Sequence, residues 1–142
     1  MKRVVAAVGG SVLVPSLEEH RLKEWADTLI RLSEKGIQVF VVVGGGGEAR
    51  RYINACRDIA LDEASSDEIG IMVTRINAAL LIGALKEYAY PRAAESYLQA
   101  KEFAVSGKIV VMGGVTPGQT TDAVGAVLAE ETNSSMMLDL TA

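Results

Sequence analysis

Apolar residues alternate along this chain between two spacings. Val4-Val5-Ala6-Ala7-Val8 is an unbroken apolar run that meets Gly9-Gly10-Ser11 at once, and it reads as a fully buried strand ending in a tight turn. Over residues 17–35 the apolar positions are Leu17, Leu22, Trp25, Ala26, Leu29, Ile30 and Leu32, with charged residues between them, which predicts an amphipathic helix. Ser16 followed by Glu19 has the pattern of a capping box, and Gly36 stands where a C-cap belongs. Residues 37–43, interrupted only by Gln38, predict a second buried strand, followed by the run Gly44 to Gly47 and a helix over 48–60. Residues 62–67 read as a polar turn, 69–88 as a long helix with Pro91 beyond it, and 93–104 as a further helix. A third strand over 108–112 ends in Gly113-Gly114. A loop over 115–120, a helix over 121–131 and a fourth strand over 136–140 complete the pattern.

Strand and helix in alternation predict an α/β fold with a mostly parallel sheet. In such sheets ligands bind beyond the carboxyl ends of the strands. Three strands here end in glycine pairs or runs, so three glycine-rich loops converge on one edge. At 142 residues the chain is long enough for one domain with a real core. With aromatic residues at 5%, that core must be built from Ala, Val, Leu and Ile.

The formal net charge of −4 argues against a sequence-independent nucleic-acid binder, which needs a basic surface. It leaves room for an anionic small ligand held by backbone N–H groups and a local cation. No run approaches the ~20 apolar residues of a membrane span. Cys56, the single cysteine, cannot form an internal disulfide and reads as a packing residue in a reducing compartment, so the expected location is cytoplasmic.

The glycine run at 44–47 lies between a buried strand and a helix start. Glycine lets the backbone approach a ligand, and the first N–H groups of the helix carry partial positive charge, which together make an anion site. Arg50 and Arg51 follow, and a guanidinium there suits phosphate oxygens. Gly9-Gly10-Ser11 has the same arrangement. Neither loop is a GxGxxG fingerprint or a Walker A loop.

The segment Gly113 to Asp122 combines three glycines and Pro117 with Gln119 and the hydroxyls of Thr116, Thr120 and Thr121. These groups both donate and accept, so they can read the edge of a base or cap the next helix. Asp122 reads as a helix-start charge, and Asp67 as an N-cap or a carboxylate for ribose hydroxyls. Asn77, among apolar helix neighbours, needs a partner, either local or on another subunit. His20 sits on a charged helix face. No set of His, Cys and carboxylates has metal-ligand spacing, and with one exposed His no Ser-His-Asp set forms.

Taken in order, Gly9-Gly10-Ser11-Val12-Leu13, Val42-Val43-Gly44-Gly45-Gly46, Ala49-Arg50-Arg51-Tyr52-Ile53, Asp67 with Ile69-Gly70-Ile71, Thr74-Arg75-Ile76-Asn77-Ala78, and Met112-Gly113-Gly114 through Pro117-Gly118-Gln119-Thr120-Thr121-Asp122-Ala123-Val124 resemble archaeal UMP kinase, of the amino acid kinase family. The last loop is the most specific part. The resemblance implies a three-layer α/β fold and transfer of the ATP γ-phosphoryl group to UMP, giving UDP and ADP, with Mg²⁺. It implies UMP on Gly45, Asp67 and Val115, Thr116, Pro117, Gly118, Gln119, Thr120 and Thr121. ATP would lie on Gly9, Gly10, Ser11, Gly46, Arg50 and Thr141, with Gly10, Ser11 and Arg50 at the point of transfer.

The resemblance also implies homohexamers built from dimers, with the 69–88 helix as a contact surface. Many relatives in the wider superfamily carry a lysine just before the first glycine pair, where Ala6 and Ala7 stand here. The family continues past Thr141-Ala142 into an ATP-binding lobe, so residues 1–142 are expected to be the UMP-binding part. Two other readings stand beside this one. The first is an isopentenyl phosphate kinase, which asks for a greasy pocket and a phosphate-binding His. The second is a non-catalytic nucleotide-binding or oligomerisation module.

Overall fold

The computed structural model describes residues 2–116 and 119–140. Strands β1 (Arg3–Val8), β2 (Gln38–Val43), β3 (Val110–Met112) and β4 (Met136–Leu140) form one sheet in the order β3-β2-β1-β4. Every adjacent pair is parallel, with Val5 opposite both Phe40 and Met137. The chain steps outward from β1 to β3 and then returns to the other side of β1. The topological switch point, where parallel sheets open a crevice, therefore lies between β1 and β4.

Successive strand residues point to opposite faces, and the apolar runs supply both. Ala6, Val8, Val39, Val41, Val43 and Val111 pack on Ala26 and Leu29 of α2 (Leu22–Glu34) and on Ala78, Leu81 and Leu85 of α4 (Glu63–Leu85). Val5, Phe40, Val42, Val110 and Met112 pack on Ala100 and Phe103 of α5 (Tyr97–Ala104) and on Val124 and Leu128 of α6 (Thr121–Glu131). This is the expected three-layer α/β sandwich. The short α1 (Gly10–Leu13) follows β1, and α3 (Gly46–Asp58) packs on α4. Gln38, the polar interruption of β2, is buried and donates from Nε2 to the Lys108 carbonyl at 2.7 Å.

Several element boundaries differ from the sequence reading. The helix expected from residue 17 begins at Leu22, and Leu17 is exposed. Ser16 does accept a hydrogen bond from the Glu19 N–H at 2.9 Å, but the bond closes a surface turn and caps no helix. Gly36 has φ of +83° just beyond the α2 C-cap, the left-handed conformation that ends many helices. The polar stretch read as a turn is the first part of α4. Its N-cap is Asp62, whose carboxylate accepts from the Ser65 N–H at 2.9 Å and from the Ser65 hydroxyl at 2.8 Å. Those bonds lower the Asp62 pKa. Asp67 therefore caps nothing and lies inside the helix.

With the 3₁₀ turn Lys86–Tyr88, this helix runs for 26 residues, and an 18-residue stretch of it has a mean hydropathy of 1.5. One face of it packs inside the fold, with Val73, Ala78, Leu81 and Leu85 buried, while Met72, Ile76 and Leu80 are exposed on the other.

Candidate functional site

The loops after β1 and β2 are locked backbone against backbone. Gly46 has φ of +64°, and a Cβ there would lie 2.7 Å from the Gly10 carbonyl carbon. A Cβ on Gly10 would run into the Gly46 backbone in turn. Only glycine permits this approach, which sets the starts of α1 and α3 side by side. The first N–H groups of a helix have no intrahelical acceptor, so these starts present donors to an anion. Arg50, one turn into α3, donates from Nη2 to the Ser11 hydroxyl at 3.2 Å. The Gly9 N–H bonds the Leu140 carbonyl at 2.8 Å and ties the first loop to the end of β4. Gly9, Gly10, Ser11, Gly46 and Arg50 are thus brought together at the carboxyl edge.

Beside them lies a cleft of about 230 Å³. Its apolar lining is Val42 and Val43 of β2, Ile53 of α3, Ile71 of α4 and Val124 of α6. Its polar lining is Asp67 and Thr74 from α4 and Thr116, Gln119 and Thr121 from the third glycine loop and the start of α6. Thr120 and Thr121 divide two tasks. Thr120 is the N-cap of α6, its hydroxyl accepting from the Ala123 N–H at 3.1 Å. Thr121 is thereby left to the cleft, with its hydroxyl 2.9 Å from where a Cβ on Gly44 would stand. Val115 lines a neighbouring groove with Glu68, Ile71, Met72 and Arg75. Pro117, Gly118 and Thr141 lie outside the described residues.

The loops are positioned by one helix. Asn77, only 2% exposed, donates from Nδ2 to the carbonyls of Gly44 at 3.0 Å and Gly45 at 3.2 Å. This is the partner that a buried mid-helix amide required. One turn earlier, the Thr74 hydroxyl accepts from the Gly114 N–H at 2.7 Å. Arg75 Nη2 donates to the Gly114 carbonyl at 3.3 Å. Gly113 passes so close to α4 that a Cβ would stand 2.9 Å from the Thr74 carbonyl carbon. Sequence reasoning missed Thr74 and Arg75. Their signal was a Thr-Arg-x-Asn cluster of polar side chains in the middle of an apolar helix, each needing an acceptor or donor.

A second pair also emerges only in three dimensions. Asp139, opposite Ala7 at the carboxyl end of β4, meets Asp122 in the first turn of α6. Hydrogen bonding with Asp122 raises the Asp139 pKa above its ordinary value, with smaller contributions from desolvation and from the charge of Asp122.

The fold is a three-layer sandwich with two glycine loops interlocked at the carboxyl edge of its sheet and a polar cleft beside them. Residues 2–142 match the amino acid kinase family, and the chain belongs to that family. It is 80% identical over its full length to a uridylate kinase of Methanocorpusculum labreanum and 56% identical over 99% of its length to a uridylate kinase of Methanoculleus marisnigri. In both cases the chain spans 60% of the relative's own length. The crystal structure of uridylate kinase from Archaeoglobus fulgidus superposes with a TM-score of 0.91 at 42% identity, covering 99% of this chain and 64% of that one.

Proposed function

We propose that this chain carries the acceptor site of a nucleoside monophosphate kinase that transfers the γ-phosphoryl group of ATP to UMP, giving UDP and ADP. The observation that carries the reading is the cleft itself. Thr116, Gln119, Thr121 and Asp67 line it together with Val42, Val43, Ile53, Ile71 and Val124. Uracil presents an imide donor and two carbonyl acceptors, and a carboxamide with hydroxyls can answer both. Asp67, as a carboxylate, only accepts, which suits the hydroxyls of a ribose. The phosphate of UMP then points to Gly45 and Arg50, while Gly10, Ser11 and Gly46 face the phosphates of ATP. The likeness to uridylate kinases supports this choice of acceptor.

Phosphoryl transfer asks a protein mainly for positioning and charge neutralisation. The interlocked helix starts and Arg50 supply both, and no nucleophilic side chain is needed. Mg²⁺ fits as an ion carried on the ATP phosphates, where it would neutralise charge. Oxygen donors suit it, and Asp122 and Asp139 are carboxylates at this edge.

The same reading places the enzyme in the cytoplasm as a hexamer, a trimer of dimers. The outer face of α4 suits a dimer contact, with Met72 and Ile76 each 56% exposed and Leu80 39% exposed at intervals of four residues. The test is an acceptor panel with radiolabelled ATP. Labelled UDP from UMP, little product from isopentenyl phosphate, and a loss of roughly 1.5–3 kcal/mol in transition-state stabilisation on Arg50→Ala are the expected results. Label on isopentenyl phosphate but not on UMP would overturn the reading.

A further inference from the structure

The third glycine loop and the start of α6 supply most of the polar lining of the cleft, and the loop is held in place by α4. Both peptide groups around Gly114 are fixed by α4. The N–H of Gly114 is held by the Thr74 hydroxyl at 2.7 Å, and that hydroxyl in turn donates to the Ile71 carbonyl at 2.6 Å. The carbonyl of Gly114 is held by Arg75 at 3.3 Å. Arg75 also faces Glu95, with Nη1 3.7 Å from the carboxylate, which ties α4 to the segment that precedes α5. Its side chain is 31% exposed, while Nε is buried without a hydrogen-bond partner among the described residues. Arg75 is absent from the cleft lining and borders the groove behind the loop.

Two peptide planes held in sequence fix the direction in which a chain leaves a glycine, since φ and ψ are its only soft torsions. Glycine is the residue whose backbone is freest to wander, so Gly114 is where such restraint matters most. A planar guanidinium can hold the carbonyl and the Glu95 carboxylate from one rigid fork, whereas an ammonium is a point charge.

We infer that Arg75 is a positioning residue for acceptor specificity: by holding the Gly114 carbonyl it sets where Thr116, Gln119 and Thr121 stand over the cleft. The inference rests on the UMP reading for the identity of the ligand, but the clamp itself does not.

The experiment has two arms, applied to the chain, Arg75→Met and Arg75→Lys. Amide hydrogen exchange without ligand reads the clamp. In Arg75→Met the amides of Gly114 to Thr116 and Gln119 to Thr121 should exchange about tenfold faster, with those of β1 and β2 unchanged. Calorimetric titration with UMP and CMP reads specificity. Arg75→Met should lose at least about tenfold in the ratio of UMP to CMP affinity, and Arg75→Lys should keep part of it. A residue that served stability alone would lower the melting temperature and leave that ratio unmoved.

Unchanged loop exchange in Arg75→Met overturns the clamp. Faster exchange with an unchanged UMP to CMP ratio overturns the specificity role. Faster exchange in Arg75→Met, together with no UMP binding by the parent chain, supports the clamp and overturns the proposed function instead.

Discussion

At the scale of single residues, the two adjacent threonines of the third loop illustrate how one side-chain type serves two ends. Thr120 satisfies an orphan N–H of α6, and Thr121 lines the cleft. Thr121→Val keeps the shape and removes the hydroxyl. It should weaken UMP binding by about 1–3 kcal/mol, because it leaves a buried partner on the ligand unanswered, and titration calorimetry measures it. Unchanged affinity would take Thr121 out of the site.

The Asp122–Asp139 pair makes a prediction of the opposite sign. The folded pKa of Asp139 lies above its ordinary value of 3.8. The folded state therefore binds this proton more tightly than the unfolded chain does. The pair costs stability above the folded pKa, and the cost fades as pH falls through it. Asp139→Asn should raise the melting temperature at neutral pH and have little effect below about pH 4, near the pKa of an unfolded aspartate. Equal gains at both pH values would contradict a raised Asp139 pKa.

At the scale of elements, α4 organises the site. Asn77 holds the second glycine loop, and Thr74 and Arg75 hold the third, one turn apart on the same helix. Asn77→Leu keeps the branched outline of the side chain but leaves the Gly44 and Gly45 carbonyls without this amide. It should cost roughly 1–3 kcal/mol of stability, read as a shift in the urea midpoint at constant m-value, and should weaken acceptor binding as well.

This helix is also where the sequence was hardest to read. Strands β1 to β3 were legible because a buried parallel strand is an apolar run bounded by glycine, and each falls within a residue or two of that pattern. The start of α4 was not, because Asp62, Ser65, Ser66 and Asp67 have the composition of a turn. What decides in favour of helix is local hydrogen bonding by Asp62 and the burial of Ser66 against the fold, neither of which composition reveals. Leu17 misled in the other direction, since a single apolar residue in phase with a helix extended it by five positions. Asp67, Thr116, Gln119 and Thr121 stood out by residue type, and the fold brings all four to one cleft. The Asp122–Asp139 pair, far apart in sequence, is created by strand order alone.

At the scale of the whole molecule, the sheet order explains why the site lies where it does. Strands β2 and β3 are laid outward from β1, and β4 then returns to the far side, opening the crevice at β1 and β4. The Gly9–Leu140 bond spans that switch point, and the Arg50–Ser11 contact stands at the loop that leaves it. The acceptor cleft sits next to it, floored by β2 and walled by α3, α4 and α6. Layers, loops and cleft are thus one arrangement, in which a parallel sheet presents glycine turns and one long helix sets their spacing.

The measurement that tests this most directly is a calorimetric titration of the folded chain with UMP, with CMP, AMP and isopentenyl phosphate as controls. Selective, saturable binding of UMP at one site per chain is the predicted result. Absence of UMP binding in a sample with a cooperative unfolding transition, or binding no tighter than that of isopentenyl phosphate, would contradict the assignment of the cleft.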